Sequence, residues 1–259
     1  MRNTLRAAAL ILCAAAVVVA AADPAYVGKW KLNPAKSDFG QLTAIYEAVP
    51  GGGYKATMDG LSYTFKTDGK EVPTPWGTMT SVKSIDANTW ESTNTVNGKL
   101  MSTETIKLSP DGKTLNIDSK MMKASGETAN NTMSFARVSG GPGLAGTWKA
   151  AKMASNSPAT MDIAMKGTDG LVLKFVDQGG VCDGKFDGKD YPATGTLWPA
   201  GWTCVLSKGG DQAFNVTWKK DGKAMYQSTF TASADGKTLT EMGGAAATTE
   251  KIKAVYERQ

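Results

Sequence analysis

The chain has 259 residues, with 29 Lys+Arg against 24 Asp+Glu and no histidine. The missing histidine excludes Ser-His-Asp and Cys-His nucleophilic catalysis and imidazole metal sites. The net charge of +5 is mild, and the lysines are scattered instead of forming a basic stripe, so nucleic acid is not an expected partner.

The first element in chain order is a leader. Met1-Arg2 and Arg6 precede an apolar run from Ala7 that ends in the small residues Ala20-Ala21-Ala22. This predicts a secretory signal peptide over residues 1–22, cut near Asp23, and a periplasmic or secreted protein. The run is short for a bilayer span, which is the competing reading, and no other segment is long and apolar enough, so no membrane span is expected after cleavage. Residues 23–259 carry 27 Lys+Arg (29 less Arg2 and Arg6) and 24 Asp+Glu, a balance of +3. Their two cysteines, Cys182 and Cys204, are an even pair in an exported chain, which predicts a disulfide.

Past the leader, the chain repeats itself. NGKLMSTETIKLSPDGKTL at 97–115 and DGKAMYQSTFTASADGKTL at 221–239 share ten of nineteen positions without a gap. Gly28-Lys29-Trp30-Lys31 matches Gly146-Thr147-Trp148-Lys149, Asp68-Gly69-Lys70 matches Asp187-Gly188-Lys189, and Phe135-Ala136-Arg137 matches Tyr256-Glu257-Arg258. Two tandem copies follow, 23–138 and 144–259, with Ser139-Gly140-Gly141-Pro142-Gly143 as a linker at 139–143.

Within each copy the period is two. Met161, Ile163 and Met165 alternate with polar or small residues, as do Leu115 and Ile117, and Phe214, Val216 and Trp218. Such alternation marks strands with one dry face, and the recurring Asp-Gly and Asn-Gly pairs mark tight hairpins. Trp90 and Trp218 fall mid-strand and are expected in cores. One short helix has room near 34–45 or 152–160. Eight to ten strands in about 115 residues predict an all-β fold of two tandem antiparallel up-and-down β-barrels, closure removing the exposed edges.

Tyr26-Val27-Gly28-Lys29-Trp30-Lys31-Leu32 and Gly146-Thr147-Trp148 resemble the opening strand of the calycin superfamily, which includes lipocalins and fatty-acid-binding proteins. The wording at 30–37, 186–192, 233–239 and 255–258 is similar to an exported bacterial lipocalin-like family of poorly known function. The resemblance implies lipocalin-like barrels in which an arginine of the last strand covers the opening tryptophan. Arg137 is therefore expected over Trp30 and Arg258 over Trp148, flooring each barrel; the competing reading is a solvated terminal arginine. The Arg-x-Tyr carboxylate clamp of fatty-acid-binding proteins is missing, because Met133 and Ala254 stand where its arginine belongs.

Few residues offer chemistry. Asp183, Asp187 and Asp190 have the look of a calcium loop, but Lys185 and Thr194 occupy ligand positions, so no metal is expected. No phosphate-cradling glycine loop and no cofactor motif is present in the sequence. The informative feature is aromatic. Pro75-Trp76-Gly77 in copy one stands where Trp198-Pro199-Ala200-Gly201-Trp202 stands in copy two. Trp76, Trp198 and Trp202 are predicted at a barrel rim, either as a recognition mouth or as an apolar plug. The resulting expectation is a non-enzymatic, exported soluble protein that holds a small apolar or amphipathic ligand in or at the mouth of a barrel. The alternative is a structural or interaction module with filled barrels. A third reading, an enzyme, would need carboxylates, Lys or Tyr as acid and base.

Overall fold

Alternating side chains and tight turns produce strands almost throughout. The computed structural model describes residues 23–40, 42–196 and 198–259; the leader expected at 1–22 lies outside them. The first copy supplies β1 (Gly28–Leu32), β2 (Thr43–Ala48), β3 (Tyr54–Met58), β4 (Leu61–Phe65), β5 (Asp68–Pro73), β6 (Met79–Ser84), β7 (Thr89–Val96), β8 (Lys99–Leu108), β9 (Thr114–Met122) and β10 (Thr128–Ser139). The second supplies β11 (Gly146–Ser155), β12 (Thr160–Lys166), β13 (Gly170–Phe175), β14 (Gly180–Lys185), β15 (Asp190–Gly195), β16 (Trp202–Lys208), β17 (Ala213–Lys220), β18 (Lys223–Ala232), β19 (Thr238–Ala245) and β20 (Ile252–Arg258). Where a helix had room, the described residues form only a 3₁₀ turn, Pro34–Lys36, capped by the Asn33 side chain; residues 152–155 extend β11 instead.

The hairpins have the expected chemistry. Asp59-Gly60, Asn97-Gly98 and Asp221-Gly222 all adopt positive φ at both residues, the conformation whose twist matches the flanking strands. Asp68-Gly69-Lys70 departs from its predicted turn. It bulges within β5, where the register to β6 shifts between Asp68 and Glu71.

The strands form two ten-stranded antiparallel sheets, as the all-β reading requires, but the sheets are not the two copies. One is a closed barrel of β12 through β20 completed by β1. The other runs β4-β3-β2-β11-β10-β9-β8-β7-β6-β5, a barrel left unzipped between β4 and β5. The opening strands are exchanged. β1 of copy one fits between β12 and β20, with Trp30 opposite Met161 and Arg258. β11 of copy two fits between β2 and β10, with Trp148 opposite Ala44 and Arg137. The boundaries 23–138 and 144–259 therefore do not delimit the sheets. Residues 43–155 make the first barrel without interruption, and they interrupt the second, which closes by pairing the chain's first strand with its last.

Geometry explains the exchange. The barrels meet end to end, through the turns at 59–60, 74–78, 97–98 and 123–127 of the first and 176–179, 198–201, 221–222 and 245–251 of the second. The opposite end of each barrel carries its tryptophan and arginine. Only the six residues 140–145 separate β10 from β11. Six residues reach ~20 Å, whereas two stacked barrels of five- to twelve-residue strands span on the order of 40 Å. β11 therefore folds straight back on β10 as a hairpin, and both crossovers, from β1 to β2 and from β11 to β12, stay at the junction.

The barrels are filled differently. The second is packed solid by Trp30, Phe214, Phe230, Leu171, Leu173 and Leu206, each at most 1 % exposed, around the Cys182–Cys204 disulfide. That disulfide joins β14 to β16 across the intervening β15. In the first barrel the matching positions are Tyr63 and Thr80, counted from Asp68/Asp187 and from Asn94/Trp218, their partners on β7 and β17. Nothing covalent ties β4 to β6 there, and this is where the first barrel is open. Ser92, Ser102 and Ile106 stand where the second barrel has Val216, Tyr226 and Phe230, leaving room inside.

The barrel floors, the tryptophan junction and the cavity

Each floor is made of one repeated set of parts. The Arg137 guanidinium carbon lies 4.0 Å from the centroid of the Trp148 ring, and that of Arg258 lies 4.4 Å from Trp30. The expectation that arginines cover the opening indoles holds in kind, but the pairing of Arg137 with Trp30 and Arg258 with Trp148 is reversed, because the strands that carry the indoles are exchanged. Both indoles are fully buried, and each donates to the carbonyl four residues earlier, Tyr26 for Trp30 and Leu144 for Trp148. The arginines are held by carbonyls. Arg137 donates to Gly112, Gly141, Gly143 and Ala145, and Arg258 donates to Gly236, Ala25 and Val27. Gly28 and Gly146 have φ near +147° and +148°, and a Cβ on either would strike the covering guanidinium.

This arrangement explains why the chain repeats Ser-x-Asp-Gly-Lys-Thr. In both copies the serine hydroxyl donates to the aspartate (Ser109 to Asp111 and Ser233 to Asp235, 2.6 Å each) and accepts from the threonine amide. The turn so fixed presents the carbonyl of Gly112 or Gly236 to the arginine Nε. The repeated phrase is thus a floor bracket.

At the other end, the structure brings Trp76 together with Trp198 and Trp202, which lie more than about 120 residues further along the sequence. Trp202 Nε1 donates to the Trp76 carbonyl at 3.0 Å. Trp76 Nε1 donates to the Tyr226 hydroxyl at 2.7 Å, and that hydroxyl donates to Asp59 at 2.9 Å. Trp202 stacks on Tyr226, and Trp198 packs on Phe175, Trp202 and Trp218. Trp76 and Asp59 belong to the first barrel and the other partners to the second, so the cluster bolts the two rims together. Across the junction, Lys123 of the first barrel pairs with Asp177 of the second at 3.0 Å, each side chain 15 % exposed. Trp90 and Trp218 lie in the two cores, as their alternation predicts. Asp183, Asp187 and Asp190 are engaged separately by Lys166, Lys189 and Lys219.

A cavity of about 840 Å³ runs from inside the first barrel to this aromatic rim. Its walls are mostly apolar, with Leu115, Phe135 and Leu144 toward the floor and Trp76, Trp198 and Trp202 at the junction. Three acids also line it: Glu104, Glu241 and Asp59. Burial pushes all three carboxyls above the usual carboxylate range, although Ser228 and Tyr256 donate to Glu241 and Tyr226 donates to Asp59. Tyr63 is pushed up to about 12, chiefly by burial and then by the charge of Glu104. Among the described residues that line the cavity there is no lysine or arginine. One buried side-chain donor, Trp198 Nε1, has no hydrogen-bond partner among the described residues.

Sequence reasoning missed these acids. The available signal was parity. Glu104 follows Ser102 and precedes Ile106 on the dry side of β8, and Glu241 lies between Leu239 and Gly243 on the dry side of β19. Compared with known proteins, the chain matches no family model, no curated protein and no solved structure.

Proposed function

We propose that this is an exported, soluble binding protein that holds a small apolar or amphipathic ligand inside the first barrel, under the tryptophan rim. The observation that carries the reading is the cavity itself. Its volume of about 840 Å³ falls within the ~300–1,000 Å³ usual for small-molecule sites, and its apolar walls with a few inward polar groups have the usual make-up of such sites. The unpartnered indole N–H of Trp198 supports it, since a buried donor calls for an acceptor, here supplied by an occupant. The leader expected at 1–22 and the disulfide fit an exported chain. The resemblance to lipocalins and the wider calycin superfamily at the two Gly-x-Trp strands fits carriage within a barrel. The filled core of the second barrel favours the structural reading for that half, which would serve as the lid and anchor of the first.

Native mass spectrometry of the chain purified gently from its own envelope tests this. The expected result is a noncovalent small-molecule adduct, lost in Ser92→Phe, which fills the cavity wall. A bare wild-type mass would contradict carriage.

A further inference from the structure

Resting on that reading, we infer that the ligand carries a protonated amine, seated against Glu104, and an apolar body that fills the barrel above it. The argument starts from the charge on the cavity wall. Glu104, Glu241 and Asp59 line it, and among the described lining residues no cationic side chain opposes them. A carboxylate or phosphate ligand would bring its charge into an apolar chamber that holds three acidic groups and no opposing cation among its described lining residues, where a buried unpaired anion is costly. An ammonium would instead supply the missing counter-charge, and its three N–H donors match what carboxylates, hydroxyls and carbonyls accept.

The three acids are not equivalent. Glu241 is already committed, accepting from Ser228 at 2.7 Å and from Tyr256 at 3.0 Å within the second barrel's wall. Asp59 belongs to the rim bolt through Tyr226. Glu104 has only the Ser102 hydroxyl as a partner among the described residues, and that hydroxyl also accepts from Asn94. A carboxylate has about four acceptor sites, so most of those on Glu104 are unused. It also stands inside the ligand-sized barrel, near Tyr46 and Tyr63, whose phenols its charge helps to raise. Its counterpart at the same step of the repeated phrase is Ser228, so this acid is specific to the barrel that has the cavity.

Calorimetric titration of the full chain with decylamine, decanol and decanoate tests the inference, because the three probes share one tail and differ in the head. Decylamine is expected to bind at least about tenfold more tightly than decanoate, with decanol between, the ratio of a single charge-assisted hydrogen bond. Glu104→Gln is expected to abolish the preference for the amine while leaving decanol binding intact. Decanoate binding as tightly as decylamine, or an amine preference that persists in E104Q, would overturn the inference and leave the carriage reading standing. Binding of none of the three would overturn both. The ranking in the wild-type chain decides even if the variant does not fold.

Discussion

Replacing Trp30 with alanine is expected to destabilise the barrel formed by residues 160–258, not the barrel formed by the rest of its own copy. Trp30 is fully buried beneath Arg258, and its indole donates to Tyr26 at 2.9 Å. Truncating a buried tryptophan costs ~3–5 kcal/mol, a large part of the stability of a domain this size. The disulfide gives a local readout, since Cys182 and Cys204 are fully buried in that barrel. In Trp30→Ala, the bond should become reducible by dithiothreitol under conditions that leave it protected in the wild type. In Trp148→Ala, which damages the first barrel, it should stay protected. The reverse result would mean that each copy keeps its own opening strand.

The second large effect concerns the disulfide itself. Its loop closes over 22 residues of sequence separation. In the chain-entropy description, such a crosslink contributes ~3 kcal/mol by restricting the unfolded chain. Here it also spans β15, the strand whose counterpart β5 has no ladder to β4. The double variant Cys182→Ala, Cys204→Ala should therefore lose about 3 kcal/mol in chemical denaturation. Its amide protection should fall first along β14 and β15, reproducing the open seam of the first barrel. A loss below ~0.5 kcal/mol, with unchanged protection, would show that packing alone closes the second barrel.

How much of this was legible in the sequence depended on whether a feature is local. The strands at Met161–Met165 and Phe214–Trp218 were readable because a wet face and a dry face alternate residue by residue. The hairpins at 59–60, 97–98 and 221–222 were readable because only certain residues accept their backbone angles. The disulfide followed from cysteine count and compartment. The arginine-on-indole floor was readable in kind, yet its pairing was not. Both copies carry the same glycine, tryptophan, serine-aspartate turn and arginine, so either opening strand fits either socket. The choice is made by where the junction lies and how far residues 140–145 can reach, and neither is written in any single motif. The cavity was illegible for a related reason. It arises from differences between the copies, with Tyr63 and Thr80 in place of the two cysteines and Ser92 in place of Val216. Each looks ordinary until the two barrels are superimposed position by position. The rim tryptophans were found as a group, but their hydrogen-bonded route through Tyr226 to Asp59 depends on contacts across about 170 residues of sequence.

The strand exchange places the floors at the far ends and the tryptophan rims at the junction, so the placement of the cavity between them depends on it. Cysteine crosslinking reads it directly. Lys31 lies opposite Glu257 and Lys149 opposite Ala136, at spacings a disulfide can bridge between paired strands. With exchanged strands, Lys31→Cys with Glu257→Cys, and Lys149→Cys with Ala136→Cys, should each form an internal disulfide in the monomer on mild oxidation, whereas Lys31→Cys with Ala136→Cys should not. A crosslink between positions 31 and 136, with none between 31 and 257, would contradict the account.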